Sequence, residues 1–264
     1  MDDPSPVEAL IEQVTTETYT YLEANASRLT MGSSLLKRFK DACAAWRTGK
    51  RRTVDQITEA VNELLVARRF LQAERCLRVE YEPPLDGTQK TIDFLFYTTE
   101  GNRVFYDVKT VHPQTGDGWS LYERACKEGW FSPGTKLVLD PAWAGAELAH
   151  DQITSRRRFQ EYTLEFETKI RSVSGPNDGR TFFRMVFCGD GWTWRPGQLE
   201  DFAETYLIGR CEWDHFAKME AHSMREKRQT FDRTIQGFCY FERAVTLSEP
   251  TAFRCDVRVP TPGI

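Results

Sequence analysis

Residues 90–111, KTIDFLFYTTEGNRVFYDVKTV, decide the fold, because they contain the two clearest strands of the chain and the turn between them. Both halves have the period of two that is typical of strands, and Glu100–Gly101–Asn102 is a turn sequence. A turn centred on Glu100 pairs residues whose numbers sum to 200, so Asp93 and Asp107 become cross-strand partners with Cβ atoms about 4.5–5.5 Å apart. The pairing is conditional, since a register shifted by one residue would put the two acids on opposite faces.

The same alternation places Lys109 on the face of Asp107. Two carboxylates as close as Asp93 and Asp107 repel each other unless something compensates their charge. A divalent cation would do so, because Mg²⁺ takes oxygen ligands and commonly binds one or two carboxylates together with waters and phosphate oxygens. Lys109 by itself would also do so, and a salt bridge on a sheet face is therefore the alternative. Charges in strands this apolar are costly without a partner or a role, which favours a functional site.

Three glutamates are further candidates for this site. Glu63 lies at the edge of the apolar stripe of a predicted helix, from where its side chain could reach a metal bound by the strands. The alternative for Glu63 is an ordinary position on a helix surface. Glu80 and Glu82 share one face of a strand predicted at residues 76–82, and only one face of that strand can reach the site.

The rest of the chain supplies the elements around this hairpin. Periodicity predicts helices at 7–22, 34–46 and 53–71, strands at 76–82, 90–98 and 103–111, a helix at about 147–172 and a strand at 181–188. It then predicts a helix at 198–208, further helix to about residue 229, and a final hairpin at 237–247 and 252–259. This order predicts an α/β fold with a mixed central β-sheet flanked by helices. The predicted parts are an N-terminal helical region (1–52), a core (53–210) with an insertion at 112–146, and a C-terminal helix plus β-hairpin extension (211–264).

The pattern Ile92–Asp93, then residues 94–106, then Asp107–Val108–Lys109 resembles the motif of the PD-(D/E)xK (restriction-endonuclease-like) nuclease superfamily. The helix that carries Glu63 and the helix and strand that follow the hairpin match the αβββαβ core order of that superfamily. Ile92 stands where the usual proline would be, and the segment between the lysine strand and the next helix is longer than a minimal core needs. The QxxxY signature of the RecB-like exonucleases is not present, because Leu164 occupies the tyrosine position.

The resemblance implies a metal-dependent nuclease, and we expect it to be a DNA endonuclease. It implies that Asp93, Asp107 and the backbone carbonyl of Val108 hold one or two Mg²⁺ ions, with Mn²⁺ as a substitute, and that Glu63 binds a second metal directly or through water. Lys109 would orient the attacking water and stabilise the charge of the transition state. Two-fold dimers are common among sequence-specific members, so a homodimer is one partner arrangement that it implies.

Nucleic acid would meet residues outside the hairpin. Trp119 in the insertion, with His112 beside it, would stack on bases, or else pack the insertion onto the core. Arg156, Arg157 and Arg158 open the helix after the insertion, where we expect at least one of them to contact phosphate; the alternative is a solvated helix face. The net charge of −4 does not by itself indicate a nucleic-acid binder.

Composition bounds the class of protein. A chain of 264 residues that are 40% hydrophobic can bury one sizeable core, and no apolar stretch is long enough to cross a membrane. The first residues, MDDPSP, lack the basic and apolar regions of a secretory signal. The odd number of cysteines, seven, fits free thiols in a reducing cytoplasm better than a disulfide framework. We therefore expect a cytoplasmic location.

Three other functions remain open at this point. The chain could be a nucleic-acid-binding module that has lost catalysis on a nuclease fold, which would not need to bind magnesium or manganese. It could be an exonuclease or an RNA-directed nuclease. It could also be an interaction protein whose acids form only salt bridges, which would have no affinity for nucleic acid at low salt.

Overall fold

The computed structural model describes residues 5–49, 53–85, 90–112, 158–159, 161–170, 179–191, 199, 235–243 and 250–257. Helix α1 (Pro6–Gln13) begins after Ser5, whose Oγ accepts a hydrogen bond from the Glu8 N–H at 3.2 Å. It continues through a π-helical turn (Val14–Tyr19) into α2 (Thr20–Ala24). Helices α3 (Gly32–Arg47) and α4 (Thr53–Gln72) follow. The three helices predicted for this half of the chain are confirmed.

The described strands form one mixed sheet whose spatial order follows the chain. The strands are β1 (Leu29–Thr30), β2 (Cys76–Tyr81), β3 (Phe94–Thr98), β4 (Arg103–Val111), β5 (Thr181–Gly189), β6 (Gly237–Arg243) and β7 (Pro250–Val257). Strands β2, β3 and β4 form an antiparallel meander, β4, β5 and β6 run parallel to one another, and β7 returns antiparallel to β6. The predicted α/β fold with a mixed sheet flanked by helices is confirmed.

The register between β3 and β4 is the one that the turn predicts. Phe94 pairs with Tyr106 and Tyr97 with Arg103, so partner numbers sum to 200. Gly101 has φ 82, a value that favours glycine, and its N–H donates to the Thr98 carbonyl at 3.0 Å. The turn thereby sets the pairing on which the position of Asp107 depends.

Helices cover both faces of the sheet. One face, which we call the helical face, packs against α1 to α4 through Phe94, Val104, Tyr106 and Val108 among others. The opposite face, which we call the site face, carries Phe105 and Val111 of β4 and packs against the helical residues 158–159 and 161–170. Asp107 and Lys109 lie between Phe105 and Val111 in the strand alternation, and they therefore belong to the site face.

The strand predicted at residues 90–98 begins only at Phe94. The partner of this segment bends at the same level, at Glu82, which has φ 48, a left-handed conformation that is uncommon for a residue with a side chain. Beyond the bend, Glu82 N–H still donates to the Asp93 carbonyl at 2.9 Å, and Pro84 forms an isolated bridge with Thr91. Residues 90–93 thus follow the extension of β2 and leave the ladder with β4, which opens a gap next to Val108.

All three parts into which we divided the sequence contribute to this sheet. Strand β1 of the N-terminal region pairs in parallel with β2, and the helices of that region share a core with the sheet. Strand β6 of the C-terminal extension pairs in parallel with β5, so this extension continues the central sheet. The predicted final hairpin is confirmed as the antiparallel pair β6 and β7, over the part of it that the structure describes.

Some predictions lie outside the described residues. They are most of the insertion at 112–146, the beginning of the helix at about 147–172, all but residue 199 of the helix at 198–208, and the further helix to about residue 229. Cys43, Cys76 and Cys188 are free thiols, but Cys239 is disulfide-bonded, so the expectation of free thiols is wrong at this position. Within the described ranges, no helix is long and apolar enough to cross a membrane.

Candidate metal and catalytic site

Asp93 occupies the gap at the level of the bend at Glu82. Its Oδ2 accepts a hydrogen bond of 2.6 Å from the backbone N–H of Val108, so a side-chain oxygen replaces the carbonyl that a continuous β3 would offer to β4. Because the N–H and C=O of one strand residue point to the same side of the strand, the Val108 carbonyl also points towards this gap. The end of the ladder at Phe94 therefore places a carboxylate and a carbonyl side by side.

Asp107 is the buried centre of the site, with a fully buried side chain. Its Oδ2 lies 3.1 Å from Lys109 Nζ, and its Oδ1 accepts a hydrogen bond of 2.9 Å from Lys169 Nζ. Within the described part of the chain, Oδ2 has no hydrogen-bond partner of good geometry. The buried carboxylate is thus held between two ammonium groups.

The charges of the site perturb one another. Burial and the repulsion of Asp107 raise the pKa of Asp93 to about 7, although Lys109, the Val108 N–H and Lys169 all favour its ionised form. Burial alone would lower the pKa of Lys109, but its attraction to Asp107 and Asp93 raises that pKa above its ordinary value. The site therefore has one acid that titrates close to neutrality and one lysine that stays charged.

Glu63 lies on α4, against the helical face, and is buried. Its carboxylate forms an ion pair of 2.7 Å with Arg38 and accepts a hydrogen bond of 2.9 Å from the Tyr81 hydroxyl. Burial and the repulsion of Asp93 raise the pKa of Glu63 to about 8, against the effects of Arg38 and Tyr81. Glu63 is therefore close enough to feel the charge of Asp93 but is engaged by a different set of partners.

The other two glutamates take no part in this cluster of charges. Glu80 forms an ion pair of 3.2 Å with its strand neighbour Arg78, and Glu82 is exposed at the bend of the chain. Among the described residues, no three His, Cys, Asp or Glu side chains converge so as to hold a metal ion. At the gap, Asp93 is repelled by Asp107, and Glu63 is repelled by Asp93.

His112 has a place that the sequence did not suggest. It is buried between two acids of α4, with Nδ1 3.4 Å from Asp55 and Nε2 3.4 Å from Glu59. Burial would lower the pKa of His112, but Glu59, Asp55 and Asp190 raise it. A buried imidazole held on both sides links α4 to the end of β4, and this position differs from the predicted contact with nucleic acid.

The remaining predicted contacts with nucleic acid are mostly outside the described residues. Arg156, Arg157 and Trp119 fall there. Arg158 is partly exposed and donates a hydrogen bond of 3.3 Å to the Tyr162 hydroxyl, on the helical segment that covers the site face.

Lys169 is the site residue that the sequence analysis missed. It lies on the helical segment 161–170, three residues after the buried Phe166 and one before the buried Ile170. That spacing puts Lys169 on the flank of the inward stripe. A search for polar residues at the edge of this stripe would have selected it, but the motif spacing could not, because the contact spans 62 residues.

Comparisons with models of protein families, with curated proteins and with solved structures found no match to this chain. Any functional assignment therefore depends on the arrangement of these residues.

Proposed function

We propose that the chain is a metal-dependent nuclease that hydrolyses phosphodiester bonds of nucleic acid, with DNA as the expected substrate. The observation that carries the proposal is the contact between Asp93 and Val108 beside the pair Asp107–Lys109. It puts two carboxylates, a backbone carbonyl and an ammonium group around one gap in a sheet. The order of α4, three antiparallel strands, a helical segment and the parallel β5 supports the resemblance to the PD-(D/E)xK superfamily.

The donors at the gap fit a hard divalent cation. Magnesium commonly needs only one or two protein carboxylates, and its other ligands are water and substrate oxygens. Asp93 and Asp107, with the carbonyl of Val108, are such a set, and burial together with the repulsion of Asp107 raises the pKa of Asp93, which a bound cation would oppose. Oδ2 of Asp107 is buried without a hydrogen bond of good geometry among the described residues, as a ligand oxygen would be.

The roles of the residues follow from their chemistry. A bound Mg²⁺ or Mn²⁺ supplies Lewis acidity towards phosphate oxygens and towards water. Asp93 and Asp107 would hold the cation, and Lys109, held by Asp107, would donate hydrogen bonds to the attacking water and to the phosphate as its charge grows. Glu63 would hold a water or a second cation on the far side of Asp93, and because its pKa of about 8 keeps it mostly protonated at pH 7, it would lose its proton when it does so.

The test is the cleavage of linear, circular and single-stranded DNA and of RNA, each with Mg²⁺ and with Mn²⁺. Asp107→Asn keeps the size of the side chain and removes a ligand charge, and we expect it to lower the cleavage rate by a factor of about 10³ or more. Asp41→Asn, at an exposed position of α3, is the matched control and should cleave like the wild type.

Two results would contradict the proposal. One is a wild-type activity that survives chelation of the metal. The other is equal activity of Asp107→Asn and the wild type, measured on preparations that unfold at the same temperature. The comparison of substrates also separates a DNA nuclease from an RNA nuclease, and an endonuclease, which opens circular DNA, from an exonuclease.

A second candidate function is a nucleic-acid-binding module without catalysis. The observation that favours it is the balance of charge around Asp107, both of whose oxygens face a lysine, and the engagement of Glu63 by Arg38. Such a cluster is stable without a metal. Titration calorimetry separates the two, because a pure binding module would bind DNA but give no heat with Mg²⁺ or Mn²⁺.

A further inference from the structure

We propose that Lys169 is a second catalytic lysine, which contacts the scissile phosphate and partners Asp107 until the substrate binds. This inference rests on the proposed nuclease function and adds a residue from outside the superfamily motif. Its starting point is the hydrogen bond of 2.9 Å from Lys169 Nζ to Asp107 Oδ1, opposite Lys109. The two lysines come from different elements and meet at one carboxylate.

The helical segment fixes where Lys169 can act. Phe166 and Ile170, on either side of it, are buried in the core of the site face, so the backbone of Lys169 is held against the sheet. The Lys169 side chain is nevertheless 27% exposed, and that of Lys109 is 21% exposed, whereas Asp107 is at 0%. The side chains of both lysines are therefore accessible to solvent beside the buried acid.

The balance of charge at the site explains how a second lysine would stabilise the transition state. When Asp93, Asp107, Lys109 and Lys169 are all ionised, the charges of these four side chains cancel; Glu165, whose charge also acts on Lys109, is outside this count. A divalent cation then leaves a surplus of two positive charges. A phosphodiester carries one negative charge, and the attack of hydroxide adds another, so the transition state has about two. With Lys109 alone, the loaded site would neutralise only half of this charge, and electrostatic stabilisation at a dry site is a large contribution to catalysis.

The competition between cations provides a readout that does not depend on activity. Lys169 holds one oxygen of Asp107, which a metal ligand set would also use, and its positive charge repels a divalent ion. Lys169→Met keeps the apolar stem that packs on the helix and removes the charge. We expect Lys169→Met to bind Mg²⁺ about tenfold more tightly than the wild type in calorimetry without nucleic acid, and to cleave about 10²- to 10³-fold more slowly with saturating metal.

Two further variants make the comparison specific. Lys169→Arg keeps the charge and should bind Mg²⁺ like the wild type and recover part of the cleavage rate. Lys37→Met removes an exposed lysine of α3 and should change neither quantity. If Lys169 served only to stabilise the fold, its substitution would lower the unfolding temperature of both variants. Lys169→Met would then not bind Mg²⁺ more tightly than the wild type.

Equal cleavage and equal Mg²⁺ affinity in Lys169→Met and the wild type would overturn the role of Lys169, while a loss of cleavage in Asp107→Asn alone would leave the nuclease proposal in place. Weaker Mg²⁺ binding in Lys169→Met would also overturn it. A wild-type chain that neither cleaves any nucleic acid nor binds Mg²⁺ would overturn both proposals together.

Discussion

Among the single residues of the site, Glu63 interacts with two groups of charged side chains. Arg38 and Tyr81 hold its carboxylate on the helical face, and Asp93 repels it through the sheet. Its pKa of about 8 and that of Asp93, about 7, mean that the metal-free site retains protons near neutral pH. A cation that binds between these acids must displace those protons.

We therefore predict that the protein releases protons when it binds a divalent cation. At pH 7, Mg²⁺ binding should release protons, and the enthalpy measured by calorimetry should change with the ionisation enthalpy of the buffer. Glu63→Gln resembles the neutral form that the folded protein favours at this pH, so it should alter the free energy of unfolding by less than about 1 kcal/mol. It should release fewer protons. An equal release by Glu63→Gln and the wild type would exclude Glu63 from the metal site.

The residues at the gap differ in how far the sequence could predict them. Asp107 and Lys109 follow from period-two alternation and from the turn at Gly101, because both are local properties. The predicted cross-strand pair of Asp93 and Asp107 is absent from the ladder, which ends at Phe94, and the contact of Asp93 with Val108 has no local pattern that indicates it. Lys169 depends on the packing of a helix against the sheet, and the engagement of Glu63 depends on Arg38 of α3. Neither contact has a fixed spacing in the chain, so no local pattern indicates it.

At the scale of elements, the hairpin β3–β4 is the part that the whole site needs. Its register is supported twice, by the turn at Gly101 and by the alternation of buried side chains on both faces. A shift by one residue would move Asp107 to the helical face and Tyr106 to the site face. The apolar pattern should therefore hold the register even where the turn is strained.

Gly101→Ala tests whether the apolar pattern holds the register when the turn is strained. The glycine has φ 82, and an added Cβ would meet only the Arg180 side chain, at 3.7 Å, so the change introduces backbone strain with little steric conflict. We expect a loss of about 1 kcal/mol in the free energy of unfolding, measured with urea, and cleavage close to that of the wild type in folded protein. A variant of normal stability that has lost cleavage would show that the turn by itself sets the register.

The sequence pattern predicted the wrong start for β3, at residue 90 instead of Phe94. Residues 90–93 continue the strand pattern, but Glu82 takes a left-handed conformation that no propensity indicates for glutamate. Residues 90–93 leave the ladder with β4 beside this bend, and the site lies at this point. A local exception to the strand rule thus accompanies the gap.

At the scale of the whole molecule, His112 joins the helical layer to the sheet. Its imidazole lies between Asp55 and Glu59, one turn apart on α4, and Asp190 at the end of β5 adds to the negative charge around it. Burial would raise the pKa of Glu59, but the hydrogen bond and charge of His112 and the charges of Arg38 and Lys109 lower it. Asn62, nearby on α4, donates hydrogen bonds to Thr110 and to the Gly189 carbonyl.

The stability of this junction should depend on pH. The pKa of His112 is raised in the folded protein, so its contribution is complete below about 6.5, the ordinary value for the unfolded chain, and is lost as the pH rises through the folded value. His112→Gln cannot become charged. The difference in the free energy of unfolding between the wild type and His112→Gln, measured with urea at pH 6 and at pH 8.5, should shrink at the higher pH. A difference that is the same at both values would contradict an ionised clamp.

The overall architecture could be predicted as far as the order of elements allows. Successive strands followed by a helix and a strand indicate a mixed sheet, and the structure has one. The two-residue β1 has no pattern of its own, and the sequence does not say that β6 pairs with β5. Both pairings join strands that are distant in the chain, and each pairing covers a sheet edge that would otherwise be open.

The hydrogen bond from Val108 to Asp93 has a consequence for descent. The Asp93 carboxylate both forms a hydrogen-bonded rung between two strands and is a candidate metal ligand. Substitutions that remove the ligand charge therefore differ in whether they also remove the rung. Asparagine at position 93 would retain an acceptor for the Val108 N–H and lose the charge, whereas alanine would lose the rung as well. Under the proposed nuclease function, a loss of catalysis should therefore be tolerated by the fold more readily with asparagine at this position than with any apolar residue.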